Sequence, residues 1–170
     1  DKPIGRKPIA TSALPLDRLT DLTARIGKAV DEGQKVYWVC PLVEESEVSD
    51  MTAAVERFKR LRASLGEGVV GLVHGQMPPA DKDAAMADFI AGRTQVLVAT
   101  TVIEVGVDVA NASIMVIEHA ERFGLAQLHQ LRGRVGRGAA ASTCLLMFQA
   151  PLTESGRRRL ETLRETDDGF

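Results

Sequence analysis

Several residue types that would narrow the function are scarce in this chain of 170 residues. Aromatic residues make up only 4% of it, which leaves little flat surface on which unpaired bases could stack. The two cysteines, Cys40 and Cys144, lie far apart and within apolar runs, a pattern that predicts buried free thiols and no disulfide. The histidines show no metal-ligand spacing with these cysteines or with each other, so no protein-bound metal is predicted.

Long apolar runs and a strong net charge are also missing. No stretch approaches the roughly twenty apolar residues of a membrane helix, and the polar, proline-containing start does not have the pattern of a signal peptide. We therefore expect a cytoplasmic protein that does not contact a membrane. The formal net charge of −2 argues against a broad surface for nucleic acid, because nonspecific affinity comes from many Lys and Arg contacts to phosphates. Any contact with DNA must be local.

The phosphate-binding loop G-x-x-x-x-G-K-[ST] does not occur in these residues. Without such a loop, the chain has no element to cradle a triphosphate or to hold its magnesium ion. We therefore expect that the chain does not hydrolyse ATP by itself.

What is present is an alternation of short β-branched runs with amphipathic segments. This alternation predicts one α/β domain, a mostly parallel sheet with helices on both faces. The apolar runs are nearly continuous, as in strands that are buried on both faces. The predicted strands are residues 8–11, 36–40, 69–73, 96–100, 114–118 and 143–148.

Apolar residues at helical spacing predict helices that face the core between these strands. Asp17 and Ser49 are predicted N-caps of the first two helices, and Gly33 and Gly66 are predicted to follow their last turns. The core-facing residues are Leu19, Leu22, Ile26 and Val30, then Met51, Val55, Phe58, Leu61 and Leu65, then Met86, Phe89 and Ile90. Trp38, in the middle of a strand, is predicted to be a core residue and not a stacking platform.

The run QLRGRVGR at residues 130–137 carries the most chemical information. Arg134 and Arg137 stand three residues apart on a glycine-punctuated turn, and planar guanidinium groups suit the charge on a transferring phosphoryl group. The alternative interpretation is a loop with surface arginines. Arg132 belongs to the same basic group. A second basic group, for which a solvated helix face is the favoured interpretation, consists of Arg157, Arg158, Arg159 and Arg164.

Two further segments follow predicted strands, at the sheet edge where ligands collect. HGQM at residues 74–77 contains Gly75, which permits a close backbone approach; for His74 alone we predict a hydrogen-bonded strand end and no acid or base role. Thr101 and Glu104 fit a capping box that would aim amide donors at a phosphate, although an ordinary cap without a ligand has the same spacing.

Together, ATTVIEVGVD (residues 99–108), ERFGLAQLHQ (121–130) and QLRGRVGR resemble motifs V and VI of superfamily two helicases. VYWVCPLVEES (36–46), HGQM and the segment 123–137 narrow the resemblance to the RecG family of bacterial ATP-dependent helicases, which remodel branched DNA in repair and recombination. The resemblance covers nearly the whole chain. It implies a RecA-like three-layer fold and the role of a second motor domain, spanning residues 1–170 with a lead-in at 1–7 and excised from a longer protein.

The resemblance also implies partners and residue roles. ATP with magnesium would be bound mainly by a first RecA-like domain of the same parent chain, and the other partner would be branched or forked DNA. Thr100 and Thr101 would touch the DNA backbone, and His74 and Gly75 would lie on the DNA-facing rim. The residues assigned to the nucleotide are Gly106, Asp108, Arg134, Arg137 and Gln130, the last of which would position the γ-phosphate or the attacking water. Asp108 has an alternative role in capping a turn near Asn111.

Three other interpretations stay open. The transcription-repair coupling factor resembles the chain equally in motif VI, although residues 38–46 look like RecG and unlike that protein. A noncatalytic module that binds DNA or protein is disfavoured by the intact Arg134 and Arg137. A small-molecule α/β enzyme would need its own phosphate loop or acid-base pair, and we find neither in the sequence.

Overall fold

The computed structural model describes residues 9–41, 47–100, 112–133 and 142–165. Within these ranges there are six strands and five α-helices, and short 3-10 turns at Leu16–Arg18 and Ala120–Arg122 precede α1 and α4. The elements in chain order are β1 Ile9–Pro15, α1 Leu19–Asp31, β2 Val36–Cys40, α2 Glu47–Leu65, β3 Val70–Val73, α3 Pro79–Ala91, β4 Val96–Thr100, β5 Ile114–Ile117, α4 Leu125–Arg132, β6 Ser142–Phe148 and α5 Glu154–Glu165.

All six strands form one sheet in the order β1-β6-β5-β2-β4-β3, and every pairing is parallel. One face packs against α1 and α2, through residues such as Ile26 and Leu61. The other face packs against α3, α4 and α5, through residues such as Phe89, Leu128 and Leu160. The predicted α/β sheet with helices on both faces is confirmed.

The central strand β2 shows why the apolar runs are continuous. Tyr37 and Val39 enter the core on the α3 side, whereas Trp38 and Cys40 enter the core on the α1 side, and all four are buried. Side chains alternate between faces along a strand, so a strand with helices on both faces needs apolar residues at every position. Each large apolar side chain buried in this way contributes about 1.5–3 kcal/mol relative to an exposed one. Trp38 is a core residue, as predicted.

Several local boundaries differ from those predicted. β1 extends to Pro15, and β5 ends at Ile117, which leaves Glu118 beyond the strand. The N-cap predictions for Asp17 and Ser49 were wrong: Asp17 lies in the 3-10 turn that runs directly into α1, and α2 begins at Glu47, before Ser49. In the first case, backbone bonds of the 3-10 turn take the place of a side-chain cap, since the amide of Leu19 donates to the carbonyl of Leu16.

Glycine marks the helix ends as predicted. Gly33 follows α1 with φ of 94°, and Gly66 follows α2 with φ of 115°; glycine adopts such left-handed values without the penalty that a Cβ would cause. The core prediction for α3 was wrong at Ile90, which is 58% exposed, while its neighbour Phe89 is fully buried. Adjacent residues of a helix point about 100° apart, so the narrow buried face of α3 accommodates only one of them.

Both cysteines are buried and free, as predicted. Cys40 ends β2, and Cys144 lies in β6 beside β1 and β5. Burial raises the pKa of the Cys144 thiol to about 12, an effect that the charge of Arg132 partly offsets. Both thiols are therefore inert packing groups at neutral pH. Across the described ranges, the helices are too short or too polar to cross a bilayer.

Candidate functional site

The carboxyl ends of four neighbouring strands form the candidate site. Val73 lies opposite Ala99, and Cys40 lies opposite Thr100, so the residues that follow β3, β4 and β2 are side by side at one edge of the sheet. Such an edge is where open α/β sheets bind ligands. Thr100, the last residue of β4, is 2% exposed, and its hydroxyl has no hydrogen-bond partner among the described residues. The structure thus brings His74 and Thr100 together at this edge.

His74 is held in a defined orientation. Its Nδ1 accepts a hydrogen bond from the backbone amide of Gln76 at 3.1 Å, which confirms the prediction of a hydrogen-bonded strand end. Burial, assisted by the nearby charge of Lys82, lowers the pKa of the imidazole. The ring is therefore neutral at pH 7, with its proton on Nε2, because Nδ1 serves as the acceptor. Gly75 follows and is exposed.

A buried ion pair stands at the same edge, one strand further along. Glu118 accepts two hydrogen bonds from Arg57 of α2, at 2.6 Å to Oε2 and 2.9 Å to Oε1. The same Oε2 accepts the indole N–H of Trp38 at 2.5 Å, and the Cys40 thiol lies 3.7 Å from it. A bidentate guanidinium and an indole together compensate the burial of the carboxylate.

These contacts shift the pKa of two neighbours. Burial disfavours the charged form of Arg57, but the hydrogen bonds and charge of Glu118 outweigh it and raise the pKa of the guanidinium. Burial and the adjacent carboxylate both raise the pKa of the Cys40 thiol. The sequence alone does not predict this cluster. Its only signal was an acidic residue directly after an apolar strand, and the partner, Arg57, is 61 residues away in sequence.

The short helix α4 carries the first part of motif VI. Gln130 is exposed on it, whereas Leu128 and Leu131 of the same helix are buried in the core. Arg132, which the sequence groups with Arg134 and Arg137, is not a surface residue, because its side chain is 1% exposed. Its Nη1 donates to Thr11 Oγ1 at 3.0 Å and to the carbonyl of Leu163 at 2.8 Å.

The second basic group lies on α5 and divides in two. Arg157 and Arg158 are exposed and pair with Glu161 and Glu154 one helical turn away, in agreement with the predicted solvated face. Arg159 is different, since it donates to the backbone carbonyls of Phe123 and Glu121 at 3.1 and 2.7 Å. The favoured interpretation was therefore wrong for Arg159, which binds the segment that leads into α4. Arg164 is exposed.

The remaining predicted site residues lie outside the described ranges. They are Thr101, Gly106, Asp108, Arg134 and Arg137. The possible cap residue Glu104 and the turn residue Asn111 also lie outside them.

Comparison with known proteins extends this picture. The family described as helicase conserved C-terminal domain matches residues 16–139. The chain is 55% identical over 169 residues to the ATP-dependent DNA helicase RecG of Escherichia coli K12, covering 99% of this chain and 24% of that protein. It is 46% identical to RecG of Bacillus subtilis, covering 100% of this chain and 25% of that protein. The chain thus spans about a quarter of the length of these relatives.

Solved structures agree with the sequence comparison. A structure of RecG bound to a three-way DNA junction superposes with a TM-score of 0.81 at 40% identity, over 100% of this chain and 22% of that one. The C-terminal domain of the DEAD-box protein Dbp5 superposes with a TM-score of 0.65 at 18% identity, over 95% of this chain and 86% of that one, a likeness of fold alone. The RecA-like fold and the resemblance to RecG are confirmed, and the chain belongs to the helicase conserved C-terminal domain family.

Proposed function

We propose that this chain is the second motor domain of a RecG-type, ATP-dependent DNA helicase that remodels branched DNA in repair and recombination in the bacterial cytoplasm. Its partners are forked or branched DNA and a first RecA-like domain of the same parent chain, so that residues 1–170 act as one part of a longer protein, with 1–7 as the lead-in. The observation that carries the proposal is the 55% identity to one quarter of a RecG helicase over nearly the entire chain.

The proposal divides the chemistry between two domains. The chain contains motif VI but no phosphate-binding loop, so ATP and magnesium are held mainly by the first domain. Arg134 and Arg137 then act as arginine fingers on the γ-phosphate, and Gln130 positions the phosphate or the attacking water. Gly106 and Asp108 face the nucleotide, the latter through the ribose. The exposure of Gln130 supports its part in this arrangement.

The DNA side of the proposal rests on the carboxyl edge of the sheet. His74, Gly75, Thr100 and Thr101 follow or end two adjacent strands, and we assign them to the sugar-phosphate backbone. A neutral imidazole, a hydroxyl and a glycine amide donate hydrogen bonds without adding charge, a mode of contact that suits a chain with a net charge of −2. Binding of this kind is independent of base sequence.

The first test uses the chain alone. Without a triphosphate cradle, purified residues 1–170 should release no phosphate from ATP above the buffer rate, with or without branched DNA. Colorimetric phosphate release over hours is sensitive enough. Multiple turnovers by the pure chain would show that it contains a complete catalytic site and would refute the two-domain proposal.

The second test uses the full-length parent. Arg137→Ala should lower kcat for ATP hydrolysis by about 10³-fold or more while the affinity for ATP changes little, because a finger contributes chiefly in the transition state. Steady-state hydrolysis and fluorescent-nucleotide binding separate the two effects. A kcat within a few-fold of the unsubstituted protein would remove the finger role.

A further inference from the structure

Arg132 lies in the segment that resembles motif VI. Its guanidinium is the most deeply buried charge among the described residues. It is 1% exposed and belongs to the last residue of α4. Through Nη1 it donates to Thr11 Oγ1 in β1 and to the carbonyl of Leu163 in α5. One side chain therefore joins a helix, an edge strand and a second helix that are distant in sequence.

The surroundings explain how a permanent charge is tolerated there. The Leu163 carbonyl belongs to the last turn of α5, so the carbonyl end of that helix meets the guanidinium. Each helix C-terminus carries a partial negative charge of about half an electron. The positive charge also affects a neighbouring side chain, since burial and the charge of Arg132 together lower the pKa of His129. An apolar side chain would fill the same volume without the desolvation cost, so packing alone does not account for an arginine at this position.

Arg132 is also close in sequence to the proposed arginine fingers. Gly133 follows it as the C-cap of α4, and Arg134 comes next. Glycine has no side chain with which to hold the direction of the backbone. The hydrogen bonds of Arg132 therefore anchor a side chain only two residues before Arg134.

We propose that Arg132 is a positioning residue for motif VI, whose buried guanidinium bonds to Thr11 and to the Leu163 carbonyl in order to fix the point from which Arg134 and Arg137 reach the nucleotide. Arg132 itself touches neither DNA nor phosphate. The inference rests on the proposed function, since it presupposes that Arg134 and Arg137 act on a nucleotide. It predicts that loss of the anchor weakens transition-state contacts and leaves ground-state binding intact.

The experiment uses the full-length parent with Arg132→Gln, Thr11→Val, Thr11→Ser and the double variant Arg132→Gln with Thr11→Val. Arg25→Gln, an exposed arginine of α1, is the matched control. The measurements are kcat and KM for ATP, affinity for forked DNA, and affinity for ADP with and without aluminium fluoride as a transition-state mimic. Thermal melting establishes which variants are folded.

We expect Arg132→Gln to lower kcat by about 10²-fold, the size of effect that a misplacement of about 1 Å produces, with KM and DNA affinity within about threefold. Affinity for ADP–aluminium fluoride should fall in parallel with kcat, while affinity for ADP should not change. Thr11→Val should lower kcat by about fivefold, because it removes the hydrogen bond to β1 and leaves the one to the Leu163 carbonyl, and Thr11→Ser should restore it. The double variant should be no slower than Arg132→Gln alone, because both remove the same anchor.

The outcomes distinguish this inference from the function on which it rests. Unchanged kcat in folded Arg132→Gln would overturn the positioning role, as would a loss of DNA affinity equal to the loss of kcat, which would make Arg132 a DNA ligand. If Arg132→Gln does not fold, Thr11→Val decides: a kcat equal to that of the Arg25→Gln control would overturn the role, and a fall reversed by Thr11→Ser would support it. If Arg137→Ala also leaves kcat unchanged, the finger role in the proposed function, on which this inference rests, has failed.

Discussion

Single buried polar side chains determine much of the local geometry at the edge of this sheet. Glu118 is 5% exposed, and its two oxygens accept hydrogen bonds from Arg57 and Trp38, which come from α2 and β2. Glu118 begins the segment that leads from β5 to α4. Its carboxylate therefore connects this segment to α2, which packs on the other face of the sheet from α4. A carboxylate in this setting stabilises the domain only while its partners are present.

Substitution of Glu118 tests this dependence. Glu118→Gln should lower the free energy of unfolding by about 3 kcal/mol, the lower end of the range for a broken buried pair, because Arg57 keeps some access to solvent. Urea denaturation of the chain measures the change. Glu67→Gln, an exposed glutamate in the turn after α2, is the matched control and should stay within about 0.5 kcal/mol. Equal stability of the two variants would show that the ion pair contributes nothing.

His74 makes the stability depend on pH in a predictable direction. Its pKa is lowered in the folded chain by burial and by Lys82, so the unfolded chain binds more protons between the usual value of about 6.5 and the lower folded value. Its contribution is complete above pH 6.5 and is lost as the pH falls through the folded pKa. His74→Gln should therefore reduce the loss of stability between pH 7.5 and 5.5, as measured by urea midpoints. A pH dependence of stability equal to that of the unsubstituted chain would contradict this role of His74. The pH dependence that remains in the variant belongs partly to His129, whose pKa is also lowered.

Helix ends, at the scale of the elements, follow simpler rules than helix beginnings in this chain. Gly33 and Gly66 have positive φ after α1 and α2, a backbone requirement that the sequence states directly. The beginnings do not rely on the predicted side-chain caps, since α1 continues from a 3-10 turn and α3 starts after Pro78 with Pro79 in its first turn. The continuity of α1 with its 3-10 turn leaves no comparable mark in the sequence.

Substitution by alanine should change the free energy of unfolding differently at two glycines, Gly33 after α1 and Gly71 in β3. Gly33→Ala should lower the free energy of unfolding by about 1–2 kcal/mol, because alanine is strained at φ of 94° even though no atom lies within 4 Å of the added Cβ. Gly71→Ala, in β3, meets only ordinary contacts at 3.6 Å and beyond and should be neutral or stabilising by up to about 1 kcal/mol. Thermal or urea unfolding of the two variants decides; stabilisation by Gly33→Ala would contradict the conformational argument.

The sequence predicted the strands well because each apolar run is long enough to be buried on two faces, as in Val36–Cys40 and Val96–Thr100. It also placed His74 and Thr100 at one edge, because parallel strands end on the same side. It did not reveal the partnership of Arg57 with Glu118 or the burial of Arg132. Those contacts depend on tertiary packing between distant elements, and an arginine in a basic stretch looks the same in the sequence whether its side chain faces solvent or is buried against a strand and a helix end.

At the scale of the whole molecule, a chain without excess positive charge can hold DNA only through a few directed contacts. We expect the chain alone to bind duplex DNA weakly, with log K falling against log salt concentration by a slope of no more than about 3, because few counterions are released. Fluorescence anisotropy at salt concentrations between about 50 and 200 mM measures this slope. A slope of about 6 or more would indicate a broad basic surface and would contradict the local DNA contact proposed for the carboxyl edge of the sheet.

The placement of β6 between β1 and β5 has a consequence for synthesis in the cell. Ile9 pairs with Ser142, so β1 must wait until β6 has been synthesised, more than a hundred residues later, before this ladder of hydrogen bonds can form. Pairings of such long sequence separation are slow to form and leave an apolar ribbon uncovered meanwhile. A ribosome that releases this chain before Phe148 has emerged should therefore yield a nascent product that chaperones retain and proteases clear.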